Sequence, residues 1–172
     1  MQASVSMSAL KVRPASERDY GAIAAIYNEA IAQGSITMDT QPYTAQSVQA
    51  IANNMTAKET LLVGELAGHV IGWGNVKRYS DRPGYRFCCE TSVYLSFALA
   101  GRGYGALLLS ALIARAQVAG YRHIVAKILA VNQRSIRFHQ RFGFEIVGTQ
   151  KAIGFINQTW HDVVIMQRLI HE

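Results

Sequence analysis

Residues 92–112 read SVYLSFALAGRGYGALLLSAL, and three glycines, Gly101, Gly103 and Gly105, fall within five of these positions. An apolar alternation precedes them and a leucine-rich run follows, which marks a strand-to-helix junction. Such a junction exposes backbone N–H groups at the positive end of a helix dipole, where an anion binds. Glycine allows the close approach and positive φ this requires, and Arg102 adds a cation. A pyrophosphate is the natural guest. Two familiar phosphate loops do not fit. G-x-x-x-x-G-K-[ST] is absent, and GRGYGA, far from the first strand, reads G-x-G-x-G rather than G-x-G-x-x-G. Taken alone, a glycine turn that fits a sharp corner explains the motif as well. Spacing argues against other chemistries. Cys88 and Cys89 are neighbours whose side chains point to opposite faces of a strand, so no ordinary bridge joins them. Two Cys with five dispersed His match no zinc spacing, and no metal is expected. Ser92 and Ser135 lack the G-x-S-x-G elbow of a hydrolase.

The elements that must hold this junction follow from periodicity. LKVRPA (10–15) is a short strand, and the next segment is a helix with Ser16 and Asp19 spaced as a capping box. Its apolar face is Ile23, Ile26, Tyr27, Ala30 and Ile31, and Gly34 ends it. A second helix covers 44–56 from Thr44, and a hairpin turns near Ala67-Gly68. YRFCCETSVYLSF is a longer strand, followed by a helix over about 104–119 that Gly120 stops. HIVAKILA is a strand, and NQRSIRFHQRF is a helix between Asn132 as N-cap and Gly143 as stop. FEIVGTQ and HDVVIMQRL close the series as strands. The order predicts an α+β fold, a mixed sheet with helices on both faces, and not a doubly wound repeat.

At 172 residues, half of them hydrophobic, the protein suits one domain with a sizeable core. A loose tail is expected over 1–9 and a single domain over 10–172. Seventeen Lys and Arg against eleven Asp and Glu give +6, which suits an acidic partner. That excess does not separate nucleic acid from a phosphorylated small molecule, and the basic residues are scattered, so a solvated surface with a cationic bias explains them as well. No nucleic-acid recognition motif accompanies them. MQASVSMSALKVRPAS has no basic stretch leading into an apolar core, so no signal peptide is read. The longest apolar run, near 106–114, is too short for a bilayer span. A cytoplasmic, reducing location without membrane contact is expected.

The series CETSVYLS, GRGYGALLL, VNQRSIRFHQRFGF and VGT resembles the GCN5-related N-acetyltransferases (GNAT), nearest the phosphinothricin and methionine-sulfoximine acetyltransferase branch. The likeness runs from about Lys11 to Arg168. It includes IYNEAI, the late WHDV, and N-x-x-S-x-x-x-H-x-x-x-G-F at Asn132, Ser135, His139, Gly143 and Phe144. The resemblance implies a GNAT fold, with a mostly antiparallel sheet of about seven strands, and acetyl-CoA as acetyl donor. It implies that the backbone of Val93, Tyr94 and Leu95 pairs with the pantetheine arm. Residues Gly101, Arg102, Gly103, Tyr104, Gly105 and Ala106 would cradle the pyrophosphate through their amides. The family pattern Q/R-x-x-G-x-G/A is departed from at Ala100, which removes one side-chain contact. Asn132 matches the asparagine that reaches the pantetheine. Arg141 either faces a CoA phosphate or is solvated surface.

Acetyl transfer needs a neutral amine, a stabilised oxyanion and a proton for the thiolate. By the resemblance Glu90 is the general base, acting through water, and burial in an apolar strand would raise its pKa. The alternative is a structural glutamate paired with Arg86 or Lys77. A strand N–H near Val93 would polarise the thioester carbonyl. His139 stands where many relatives carry a tyrosine acid, and a core histidine is the equal alternative. His161 starts a late strand, where packing near the substrate is the expected role. Relatives hold a substrate carboxylate or phosphinate with a basic residue in the loop before the catalytic strand. Here VKRYSDRPGYRF offers Arg78, Arg82 and Arg86, so a small amino-acid-like amine is the expected substrate. Met38 and Tyr43 either wall its pocket or pack in the core. The alternative function is a degenerate acyl-CoA sensor or interaction domain, and the resemblance also implies a homodimer.

Overall fold

The structure, a computed structural model, describes residues 10–170; the tail expected over 1–9 lies outside them. The described part opens with β1 (Lys11–Pro14). The Ser16–Asp19 capping box forms, but it starts one 3-10 turn before α1 (Tyr20–Gln33). Arg13 explains the arrangement: its guanidinium reaches Asp19 at 2.8 Å and Glu65 at 2.6 Å, and the Asp19 carboxylate also caps Ser16. That guanidinium holds the Asp19 carboxyl down to about 2. Gly34 ends α1 at φ 71°, and Thr44 caps α2 (Ala45–Asn53) by accepting from the Ser47 N–H.

β2 (Thr60–Leu66) and β3 (His69–Arg78) form the expected hairpin. Ala67 and Gly68 both have positive φ, the twist a two-residue hairpin turn requires. Then come β4 (Cys88–Leu95), α3 (Tyr104–Val118), β5 (His123–Leu129) and α4 (Gln133–Arg141). β6 (Glu145–Ile156) and β7 (Thr159–Leu169) finish the sheet. β6 runs well past FEIVGTQ, up to a turn at Asn157 and Gln158. Two register shifts interrupt its pairing with β7, and most of the strand is exposed, so no clean alternation marks its extent.

The sheet order is β1-β2-β3-β4-β5-β7-β6, and every pairing is antiparallel except β4 with β5. α3 and α4 bury Leu109, Leu112 and Ile136 against Val76, Ile124 and Met166 on one face. α1 and α2 bury Ile23, Ile26 and Val48 against Val63 and Trp73 on the other. Gly74 lets α3 settle on β3: a Cβ there would stand 2.5 Å from Leu112 Cδ1 and 2.7 Å from the Ser92 carbonyl. The parallel pair creates the functional opening. β4 and β5 are in register only at Cys88–His123, Cys89–Ile124 and Glu90–Val125, and beyond these three pairs the strands diverge.

Candidate active site

The divergence leaves the backbone of Val93, Tyr94 and Leu95 paired with β3 on one side and with no strand on the other. A cleft of about 400 Å³ occupies the gap, lined by Thr91–Leu95 from β4, Ala126–Ile128 from β5, the glycine loop and α4. Ligands of open sheets favour this location, the carboxyl ends of parallel strands where the topology switches. Gly101 and Gly103 hold φ of 83° and 86°, and Gly103 is the N-cap of α3. The left-handed turn sets the N-terminus of a fifteen-residue helix at the cleft, where first-turn amides other than that of Ala106, which donates to the Gly103 carbonyl, have no intrahelical acceptor. Gly105 completes the floor, since a Cβ there would meet Leu95 Cδ1 at 3.2 Å.

Ala100, Gly101, Gly103, Gly105, Ala106, Asn132 and Arg141 all line this cleft. The side chains of Arg102 and Tyr104 do not; Tyr104 is 1% exposed, in the core under α3. Asn132 caps α4, its Oδ1 accepting from the Ser135 N–H at 3.1 Å, which leaves the Nδ2 donor for the cleft.

A second, wider cavity of about 1290 Å³ lies on the α1 side of the sheet and meets the cleft at Ile36, Ser92, Tyr94 and Lys127. Its floor is a stripe made by strand alternation, polar around Glu90: Trp73, Asn75 and Lys77 from β3, Glu90 and Ser92 from β4, Val125 and Lys127 from β5. Asn28 holds the 34–43 loop over it, through bonds of 2.9 and 2.8 Å to the Tyr43 backbone. Within that loop Asp39 accepts from the Tyr27 hydroxyl at 2.6 Å and the Tyr43 hydroxyl at 3.0 Å. Burial and Asp39 push the Tyr43 phenol up to about 12. Met38 and Tyr43 do wall the cavity. Trp73 Nε1 and Asn75 Oδ1 are buried in its floor without a protein partner.

Glu90 lies on this floor, its side chain 12% exposed, but its surroundings are not the apolar ones expected of its strand. Lys127 Nζ is 2.9 Å from one carboxylate oxygen and Lys77 Nζ 3.4 Å from the other. Lys77 is the cross-strand neighbour of Glu90, and Lys127 sits two residues beyond Val125, its β5 neighbour. Arg86 takes no part; it bonds the Pro83 carbonyl and stacks on Phe87. Lys127, which pairs with Glu90 and lines both cavities, is the site residue that sequence reasoning did not single out. Its signal was a single cation in the apolar run HIVAKILA.

His139 lines the cleft and is 4% exposed. Its Nδ1–H donates to the Ser135 carbonyl at 2.8 Å, and burial lowers its pKa from 6.5. The neutral ring therefore presents a lone pair, not a proton, at Nε2. Cys88 borders the wider cavity, and burial together with Glu90 pushes its thiol up, so it stays protonated and a poor nucleophile.

None of the three loop arginines lines either cavity. Arg78 is committed to Glu59 at 2.7 Å and to Asp81. Arg82 keeps a side chain without a partner among the described residues, at the tip of a loop whose Tyr79, Gly84, Tyr85 and Phe87 border the wider cavity. His161, in β7, pairs with Gly154 of β6 and borders neither cavity.

The acetyltransferase (GNAT) domain matches residues 12–165. The protein belongs to the GNAT acetyltransferase family. It is 30% identical to the phosphinothricin N-acetyltransferase of Streptomyces viridochromogenes, over 92% of this chain and 87% of that one. It is 34% identical to the L-methionine sulfoximine/L-methionine sulfone acetyltransferase of Pseudomonas paraeruginosa, over 91% and 92%. A phosphinothricin acetyltransferase of Sinorhizobium meliloti, solved in complex with acetyl-CoA, superposes with a TM-score of 0.89 at 32% identity, covering 95% of this chain and 90% of that one. This GNAT protein is thus an acetyl-CoA-dependent N-acetyltransferase, and a degenerate sensor finds no support. Among the described residues no cluster of His, Cys, Asp or Glu could hold a metal, and no helix is long and apolar enough to cross a membrane.

Proposed function

We propose that the protein acetylates the primary amine of a small amino-acid-like substrate of the phosphinothricin or methionine-sulfoximine type. The observation that carries this reading is the meeting of the two cavities at Ser92, Tyr94 and Lys127, beside the Glu90 carboxylate. Acetyl-CoA lies in the cleft with its pantetheine along Val93–Leu95 and its thioester at that junction. The amine enters from the wider cavity. Glu90, oriented by Lys77 and Lys127, takes a proton from the substrate ammonium through water. The free amine attacks the thioester carbonyl, and the Val93 region of strand backbone supplies the N–H that holds the oxyanion. The C–N bond forms and the C–S bond breaks; the nitrogen's second proton goes to the departing thiolate. His139, neutral with a bare Nε2, accepts a hydrogen bond in the cleft, and acts as an acid only after protonation. The protonated Cys88 thiol suits direct transfer rather than an acyl-enzyme.

In this reading Arg82 is the loop arginine that holds the substrate carboxylate, a role supported by the engagement of Arg78 and Arg86 elsewhere. The protein acts as a cytoplasmic homodimer in this reading. Its support is the pair of free cysteines and the exposed Ile146 and Trp160 on β6 and β7, outside both cavities, a surface a second copy would cover. Nucleic acid and membrane have no part in it. An amine panel assayed by thiol release from acetyl-CoA tests the whole reading. Amino acids bearing polar side chains are expected to turn over well above simple alkylamines. Equal rates on alkylamines and their carboxylated analogues would refute the substrate class.

A further inference from the structure

The glycine loop meets its ligand with backbone alone. Ala100 brings a methyl group to the cleft, and the side chain of Arg102 lies outside it. Across the cleft, at the second position of α4, stands Arg134. One of its terminal nitrogens is 3.4 Å from the point where a Cβ on Gly101 would stand, so the guanidinium overhangs the loop. No carboxylate, carbonyl or ring of the described residues engages that guanidinium, whereas Arg13, Arg78, Arg86 and Arg168 all have partners. Its position is electrostatically unfavourable by itself. It is a cation in the first turn of its own helix and beside the N-terminus of α3, so two positive dipole ends face it.

We propose that Arg134 binds the diphosphate of acetyl-CoA from the α4 wall, opposite the amides of the glycine loop. An anion between Gly101 and Arg134 reverses the sign of every unfavourable term. The loop amides, the helix dipole and the guanidinium then converge on one charge, and the planar fork of arginine suits two phosphate oxygens. The same placement explains how the loop tolerates Ala100, since the missing side-chain donor is supplied from another element. The diphosphate is favoured over the other phosphate of the cofactor because Arg134 lies against the loop itself. Arg141, seven residues further along α4 and so about 10 Å away along its axis, is the cleft cation available to the latter.

The inference rests on the cleft being the acetyl-CoA site, and calorimetry with three probes separates the two ideas. The probes are acetyl-CoA, its 3′-dephospho analogue and S-acetylpantetheine, which lacks the diphosphate. Arg134→Ala is expected to weaken acetyl-CoA and the dephospho analogue equally, about tenfold, and to leave S-acetylpantetheine unchanged. The loss should shrink at high salt, where exposed charges are screened. Ala100→Gln in the Arg134→Ala background should recover much of it. Melting should be unchanged or slightly raised, because an arginine is being removed from a helix N-terminus; a merely structural role would lower it. Unchanged affinity in the variant, a loss that disappears with the dephospho analogue, or an equal loss with S-acetylpantetheine would each overturn the assignment. Wild-type protein that binds acetyl-CoA no tighter than S-acetylpantetheine would remove the whole loop from the site, and Arg134 with it.

Discussion

The two cavities are built by opposite means. The cofactor cleft is made of backbone on its β4 and loop side, an unpaired edge of β4, a left-handed glycine turn and the start of α3, with side chains added from the α4 wall. The acceptor cavity is made of side chains from α1, α2, the 34–43 and 79–87 loops, and strands β3 to β7. Backbone groups recognise what is constant in a ligand, because every residue carries them in the same geometry. Side chains recognise what varies. One half of the molecule therefore suits a common donor, and the other suits an acceptor particular to this protein. Substitutions should separate the halves, with acceptor-side changes moving kcat or amine KM and cofactor-side changes moving acetyl-CoA affinity.

The largest effect is expected at Glu90. Glu90→Gln keeps the shape but cannot take the proton, so kcat at neutral pH should fall by roughly 10²–10⁴ with acetyl-CoA affinity unchanged. Raising the pH should partly restore it by supplying free amine. If calorimetry shows cofactor affinity and melting temperature falling together, Glu90 is a structural anchor for Lys77 and Lys127, and the separation of the two cavities breaks there. On the other side, Gly103→Val forces a β-branched residue into positive φ and crowds the anion. Acetyl-CoA affinity should drop by about 10² or more, while Arg102→Ala should change it less than about threefold. Full affinity in a folded Gly103→Val protein would contradict the backbone cradle.

A smaller effect sharpens the acceptor half. Arg82→Ala should raise the KM of an amino-acid substrate about tenfold without touching acetyl-CoA affinity. Arg78→Ala, which breaks the contacts with Glu59 and Asp81, should leave that KM alone. Steady-state kinetics showing the reverse order would move the carboxylate to the other end of the loop.

The smallest effect is one of pH. Burial lowers the pKa of His139 below its ordinary 6.5, so the unfolded protein takes up a proton that the folded protein resists. Its contribution to stability is complete above about pH 6.5 and declines below it, by at most about 1.4 kcal/mol per pH unit. Thermal melts of the wild type and of His139→Gln between pH 7 and pH 5 should show a shallower decline in the variant. Parallel slopes would mean that the ring is protonated in the fold, and would return His139 to the role of acid.

The element order was legible because local rules act within a few residues. The Ser16–Asp19 and Thr44 caps, the Ala67-Gly68 turn, and the stops at Gly34, Gly120 and Gly143 each fix their own conformation. The glycine loop was legible for the same reason, since ligand-binding amides and helix start lie in one continuous stretch. β6 exceeds its expected length because bulges and exposure erase its alternation. The sequence by itself thus determined the seven strands, the four helices and the anion-binding turn. Only the tertiary structure decided that Lys77 and Lys127 flank Glu90, that Arg78 and Arg86 are spent on Glu59 and Pro83, and that Arg134 overhangs Gly101. Most of these contacts join residues from different elements. Sheet register and the divergence of β4 from β5 set them, and the spacing of residues along the sequence carries no record of either.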